Sequence, residues 1–222
     1  MSTGDGKSLG SSAHWLMHFT HVRNLPGIFS DGCLQADSLV SVRSCLVVEA
    51  GDPAIKASRK QRQIMIRGEP YGCVGDYVPF YFANRSPMLY KIARGGVPSY
   101  TEGQDPLVYL VTTVETVAAA GLRWLFSDGN CAANVTDFFD DLTLLDSAVD
   151  WQVMRAQIWK NTADDPDKMR RRMAEFLVLH RLPVACLVGV VTQSQGTKAA
   201  VQALLTQYDL RLPVQVRRGW YF

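Results

Sequence analysis

The apolar and polar positions of the chain switch between an alternating rhythm and a helical one. Residues 15–20 form a short β-prone run from Trp15 to Thr20. Asn24 to Phe29 then predicts one or two helical turns ending at Asp31-Gly32, where a glycine suits a helix C-terminus. Residues 51–75 are polar, basic and glycine-punctuated, and predict a helix around Ile55 to Arg62 inside a mobile excursion. The strongest strand signal runs from Asp76 to Phe82. Pro79 lacks an N–H and restricts that strand to an edge or a bulge. Ser86 as N-cap and Pro87 at the first helical position open a helix to about Ala93.

Leu107 to Thr112 predicts a further strand, and Thr113 to Ala120 a short helix ended by Gly121. Residues 134–160 hold two helical patterns punctuated by Phe138, Phe139, Trp151 and Trp159. Asp165-Pro166 opens a helix bearing Arg170-Arg171-Arg172. Phe176 to Leu179 and Val184 to Thr192 are apolar enough for buried strands, Thr197 to Tyr208 is an amphipathic helix, and Pro213 to Val216 is a closing strand. Strands and helices are interspersed without a clean βαβ rhythm. The expectation is a mixed α/β (α+β) domain, not a doubly wound parallel sheet. With 222 residues, a flexible polar leader over 1–12 and a single domain over 13–222 account for the chain. A domain of that size buries roughly 70% of its unfolded surface and needs no disulfide or metal staple.

Charge and cysteine content narrow the function classes. A formal charge of +2 gives no global basic field, so any nucleic-acid site must be a local patch. The five cysteines are odd in number and widely spaced, with no CxxC pair, which argues against a zinc cluster and a secreted disulfide scaffold. The expected compartment is the cytoplasm. No apolar run is long enough to span a bilayer, so no membrane role is expected. There is no GxGxxG after a strand, no GxxxxGK[ST], no HExxH and no GxSxG, so the commonest phosphate cradles and two familiar hydrolase sites are excluded.

Four features could carry chemistry. His18-Phe19-Thr20-His21 puts His18 and Thr20 on one face of a strand, a polar pair able to hold a ribose diol, although spacing alone favours a hydrogen-bonded core histidine. Lys56, Arg59, Lys60, Arg62 and Arg67 could face a pyrophosphate or a nucleic-acid backbone, or form only a solvated face. Lys168 with Arg170 to Arg172 shares that ambiguity. Tyr77, Pro79 and Tyr81 fall on one side of their strand and Phe80 and Phe82 on the other, so one face could be core while the other stacks a ring. Glu175 stands at the entrance of an apolar strand, where desolvation and nearby arginines would pull its pKa in opposite directions. The competing account is a surface glutamate paired with Arg171 or Arg172.

Together the motifs His18-Phe19-Thr20-His21, Asn24-Leu25-Pro26-Gly27-Ile28, Tyr77-Val78-Pro79-Phe80-Tyr81-Phe82, Arg85-Ser86-Pro87-Met88-Leu89-Tyr90, Arg170 through Val178 and the final Trp220-Tyr221-Phe222 resemble the DarT family of DNA ADP-ribosyltransferase toxins. The resemblance runs from about Met17 to the end of the chain. It implies a split, mixed β core with helices around it and NAD as co-substrate in the cleft, with no metal. The implied reaction moves ADP-ribose from NAD to a base in single-stranded DNA, thymidine favoured, and releases nicotinamide; a macrodomain antitoxin removes the mark. By resemblance Glu175 is the catalytic carboxylate and Arg59 its partner, with Arg62 the second candidate because the chain reads Arg59-Lys60 where relatives have adjacent arginines. His18, Thr20, Asn24, Leu25, Tyr81 and Met88 fall to the NAD pocket. Loop position and polarity suggest DNA contacts at Lys60, Arg62, Arg67, Asn130, Asn134 and Thr136. Guanosine in DNA, RNA and protein stand as alternative acceptors, and a non-catalytic nucleic-acid-binding module as an alternative class.

Overall fold

A computed structural model describes residues 13–43 and 47–222; the expected leader over 1–12 lies outside them. The chain begins with β1 (Trp15–His21), α1 (Leu25–Ser30), β2 (Cys33–Gln35) and α2 (Asp37–Arg43). It continues through α3 (Pro53–Gln61), β3 (Gln63–Ile66), β4 (Glu69–Cys73), β5 (Tyr77–Tyr81) and α4 (Pro87–Ala93). Then come β6 (Leu107–Thr113), α5 (Val114–Ala119), β7 (Trp124–Ser127), β8 (Phe138–Phe139), α6 (Leu145–Ala148) and α7 (Trp151–Arg155). The last third holds α8 (Lys168–Arg171), β9 (Glu175–Leu179), β10 (Arg181–Pro183), β11 (Gly189–Thr192), α9 (Gln195–Gln207) and β12 (Val214–Val216).

Side-chain caps set many helix starts. Asp52 accepts from the Ala54 N–H, Ser86 from Leu89, Thr113 from Thr116 and Ser194 from Thr197, each satisfying a donor that the first helical turn leaves free. The basic excursion holds more order than one helix: β3 and β4 form a hairpin joined by Arg67-Gly68, with φ of 53° and 85°. A two-residue turn of that hand matches the strand twist, and an arginine in the left-handed position disguises it. The two helical patterns expected over residues 134–160 resolve into the edge strand β8 and two helices of four and five residues, α6 and α7. Val184–Cys186 forms a tight turn before β11, so the strand expected there is shorter.

Eight strands make one sheet in the order β12-β11-β6-β1-β5-β9-β7-β8, antiparallel throughout except for the β11–β12 pair. β2 pairs with β10 apart from it, as β3 does with β4. One face is covered along its length by a single cluster that takes Leu16, Phe80, Leu110, Phe126, Phe176 and Val190 from six strands. The opposite face carries two separate clusters. Met17, Tyr109, Val111 and Val191 belong to one, and Tyr77, Leu125 and Leu177 to the other. Burial on both faces explains the unbroken apolar runs of β6 and β9. At the seam between the two clusters Tyr81 of β5 and Glu175 of β9, two of the expected site residues, stand opposite each other. No helix among the described residues is long and apolar enough to cross a membrane.

Candidate active site

The sheet parts between β1 and β5, which share one register pair, Met17 with Tyr81. β1 stays with β6 as far as His21, and β5 stays with β9 from Tyr77 to Tyr81. The Glu175 N–H turns away from β5 to the Ser127 hydroxyl, so the pairs Tyr81–Glu175 and Pro79–Leu177 exchange no ladder bonds. The backbone of Pro79 therefore faces β1. This corrects the edge-strand expectation: β5 is internal, and Pro79, which has no N–H to give, faces the opening beside β1.

His18 crosses that gap. Its Nδ1 lies 2.8 Å from the Pro79 carbonyl, which can only accept, so Nδ1 carries the proton and Nε2 is left as an acceptor. Burial lowers the ring's pKa and favours this neutral form, though the Pro79 carbonyl opposes the shift. His18, Thr20, Tyr81, Met88, Lys56 and Arg59 all line a cleft of about 1210 Å³, its open mouth included.

Asn24 lines the cleft as well, but its amide is fully engaged. It donates to Thr20 Oγ1 (3.1 Å) and the Val48 carbonyl (2.9 Å), and accepts from the Val47 and Val48 N–H groups. It fixes the segment that walls the cleft. Leu25 points into the core with no exposed surface, so only its backbone can serve the cleft. Lys56 Nζ lies 2.7 Å from Asp37 Oδ1 and also contacts Glu49 Oε2, tying α2, the segment before α3 and α3 together. Burial works against its charge, and the two carboxylates more than offset that, raising its pKa. No local pattern joins residues 37, 49 and 56, so this clamp escapes a sequence reading.

Glu175 opens β9 and is 1% exposed. Its partner is Arg59, itself 8% exposed, whose Nη1 lies 2.9 Å from both carboxylate oxygens. The surface-pair account thus fails. Arg171 bonds to Asp150 and Asp165 instead, and Arg172 is buried with Nη1 and Nη2 on the carbonyls of Val153, Met154 and Asn84. Burial opposes the charge on Arg59, but Glu175 outweighs it and raises its pKa. Arg59 Nη2 is buried without a partner. A buried guanidinium N–H left unpaired is costly, and here it stands ready for an acceptor atom of a bound molecule. Tyr81, directly opposite Glu175 in register, has its phenol pushed up by burial and by that carboxylate, and stays neutral.

The expected DNA contacts gather on the far side of α3, around a segment of residues 128–137 that arches from β7 to β8. Arg62 Nη2 lies 3.3 Å from the Ala133 carbonyl, and Nη1 the same distance from Asn134 Oδ1. Arg62, Arg67 and Thr136 line a second groove with Met65 and Phe139. Thr136 is buried and its hydroxyl donates to the Asn130 carbonyl, so it braces the arch. Arg67 is exposed but bonded to Asp140. Lys60 is exposed on α3, and Asn134 lies exposed on the arch.

Comparisons with known proteins find relatives that align along nearly the whole chain. A DNA ADP-ribosyl transferase of Mycobacterium tuberculosis is 35% identical over 210 residues, covering 94% of this chain and 89% of its own. One from Thermus sp. is 33% identical over 209 residues, with 93% and 95% covered. Solved structures of Thermus sp. 2.9 DarT superpose closely: the complex with ADP-ribosylated ssDNA has a TM-score of 0.86 at 32% identity, covering 95% of this chain and 97% of that one. The complex with NAD+ has a TM-score of 0.80 at 31% identity, with 95% and 98% covered. A family model described as ssDNA thymidine ADP-ribosyltransferase, DarT, matches residues 17–222. A split mixed sheet, a buried carboxylate–guanidinium pair at its seam and near-complete alignment with these relatives converge: the chain belongs to the DarT family.

Proposed function

We propose that the protein transfers ADP-ribose from NAD to a thymine base in single-stranded DNA, with Glu175 as the catalytic carboxylate and Arg59 as its partner. The observation that carries this is the Arg59–Glu175 pair, both members buried at the seam of the sheet, with one guanidinium nitrogen left open. NAD enters the cleft beside β1, where the His18 Nε2 acceptor and Thr20 take ribose hydroxyls and Tyr81 and Met88 contact the rings. As the bond from nicotinamide to the ribose breaks, nicotinamide leaves neutral with the electron pair. Positive charge grows on the ribose, and the Glu175 carboxylate stabilises it. The ring nitrogen of thymine attacks that carbon, and its proton passes to Glu175. Arg59 Nη2 donates to a base carbonyl flanking the attacked nitrogen. Acting on a single strand avoids the few kcal/mol of flipping a base from duplex.

The acceptor strand follows the second groove, past Lys60, Arg62 and Arg67 and the Asn130–Asn134 side of the arch. In this reading the protein is a cytoplasmic toxin, and a macrodomain antitoxin reverses its mark, as family membership suggests. The test is incubation with labelled NAD and separate pools of thymine-bearing and guanine-bearing single strands, RNA and cell protein. Label in the thymine-bearing strand, lost in a folded Glu175→Ala variant, is expected; undiminished labelling by that variant overturns the assignment.

A further inference from the structure

The hydroxyl of Ser127 lies behind Glu175 and is outside the chemistry described so far. β7 and β9 pair as far as Phe126–Phe176, and there the register ends. One step further the Glu175 N–H donates to Ser127 Oγ at 3.0 Å, so a side chain takes over where the ladder stops. That hydroxyl donates its one proton to the Gly129 carbonyl at 2.7 Å. Its second lone pair faces Cys131 Sγ at 3.4 Å. Burial, with Glu175 next, pushes the Cys131 thiol well up, so it stays protonated and can donate. Ser127 is fully buried, and its hydroxyl is saturated by two donors, the Glu175 N–H and the Cys131 thiol, and one acceptor, the Gly129 carbonyl.

The other partners of this joint belong to the arch. Arg170 Nη1 holds Asp128 through both oxygens at 3.0 Å, and the Arg170 carbonyl accepts from Asn130 N–H at 3.0 Å. Asn130 Oδ1 accepts from Ala132 N–H, which sets the turn toward Ala133 and Asn134. A single hydroxyl therefore joins the backbone of the catalytic carboxylate to the segment placed against the acceptor strand.

We propose that Ser127 is a positioning residue for the transfer step, setting Glu175 and the acceptor-facing arch in one frame. The proposal rests on Glu175 being the catalytic carboxylate. Losing the hydroxyl leaves the Glu175 N–H and the Gly129 carbonyl buried without partners and frees both to shift. Displacement of a catalytic group by about 1 Å costs on the order of 100-fold in rate. Of the NAD cleft, Arg59 and Tyr81 meet this joint through Glu175, while His18 and Thr20 bond elsewhere, to Pro79 and Asn24, so the loss falls on kcat more than on the KM for NAD.

Steady-state transfer to a thymine-bearing oligonucleotide, measured on the whole chain, tests this with Ser127→Ala, Ser127→Thr and Glu175→Gln. Ser127→Ala should lower kcat roughly 10- to 100-fold with little change in the KM for NAD. Ser127→Thr, which keeps the hydroxyl, should restore most of the rate; if the added methyl unfolds the protein, Ser127→Cys takes its place with partial rescue expected. A folded Ser127→Ala protein that works at the wild-type rate, or whose loss lies in the KM for NAD, overturns the proposal. Glu175→Gln separates the two levels. If it transfers normally, the catalytic reading falls and this inference with it; if it is inactive beside an undiminished Ser127→Ala, this inference falls alone.

Discussion

Arg59 and Glu175 stand 116 positions apart in sequence, yet one guanidinium nitrogen lies 2.9 Å from both oxygens of the carboxylate. Glu175 is 1% exposed and Arg59 8%, so each depends mainly on the other for charge compensation. Removing one member of a buried pair leaves an uncompensated charge, a loss of about 3–5 kcal/mol. Arg59→Ala should therefore lose both DNA labelling and that much stability by urea unfolding. Arg59→Met combined with Glu175→Leu should regain stability while staying inactive. An Arg59→Ala protein as stable as the wild type would contradict the pairing.

His18 reaches across the open seam to Pro79. If its free Nε2 takes a ribose hydroxyl, His18→Ala removes a neutral hydrogen bond of about 0.5–1.5 kcal/mol, and NAD should bind roughly 2- to 12-fold more weakly. Calorimetric titration of NAD into His18→Ala, made in an inactive background, reads this directly. Unchanged affinity takes His18 out of the binding site and leaves it as a stitch between strands.

His14 supplies a pH-dependent part of stability. Its ring lies 2.8 Å from Glu115 Oε1 and 3.1 Å from Asp146 Oδ1, so it braces the start of β1 against α5 and α6. Burial favours the neutral ring, but hydrogen bonds to the two carboxylates prevail and raise its pKa above 6.5. A raised pKa means the folded state holds the proton more tightly. The contribution is full below pH 6.5 and is lost as pH climbs through the raised value. His18 shifts the other way and must be held constant. The difference in thermal midpoint between wild type and His14→Gln should thus shrink from pH 6 toward pH 9. A difference flat with pH would show that His14 acts without its charge.

The basic residues beyond α3 should separate in salt titrations. Each phosphate contact on a single strand contributes about 0.7 to the slope of log affinity against log salt. Arg67 already holds Asp140 with its guanidinium, whereas Arg62 meets only carbonyl oxygens of the arch and of Asn134. Arg62→Ala should flatten the slope more than Arg67→Ala. The reverse order would move the strand's path toward β4.

Gly129 is confined by Arg170: a Cβ there would lie 2.3 Å from Nη1 and 3.0 Å from the Arg170 carbonyl. Gly129→Ala should force the arch off its seat and lower stability by about 1–3 kcal/mol. Chemical denaturation measures that loss, and in an Arg170→Ala background the part due to the guanidinium should fall away while the contact with the backbone carbonyl of residue 170 remains.

What could be read from the sequence was what local chemistry determines. Ser86 and Pro87 mark the start of α4, and the apolar run after Glu175 becomes β9 with the glutamate at its entrance. β2 and β10 are three-residue strands that exist because each lies beside the other, and such short runs carry no period. The Arg67-Gly68 turn hid a hairpin, since only its second residue advertises positive φ. Within the site, the basic run offered Arg59 as one cation among several, and only the family resemblance singled it out as the partner of Glu175. The Lys56 clamp and the Ser127 joint had no signal, because both are made by tertiary neighbours far apart in the chain.

The gap beside β5 has a cause in the covalent chemistry of one residue. Strands that run side by side tend to zip, and an internal edge invites its neighbour to close. At Pro79 the edge facing β1 offers no hydrogen, because the imino ring occupies that valence. β1 cannot sew the seam at that stitch however far it swings, and the imidazole of His18 takes the remaining carbonyl. The fold thus keeps its opening by omitting a donor, and needs no bulky wedge to hold the strands apart.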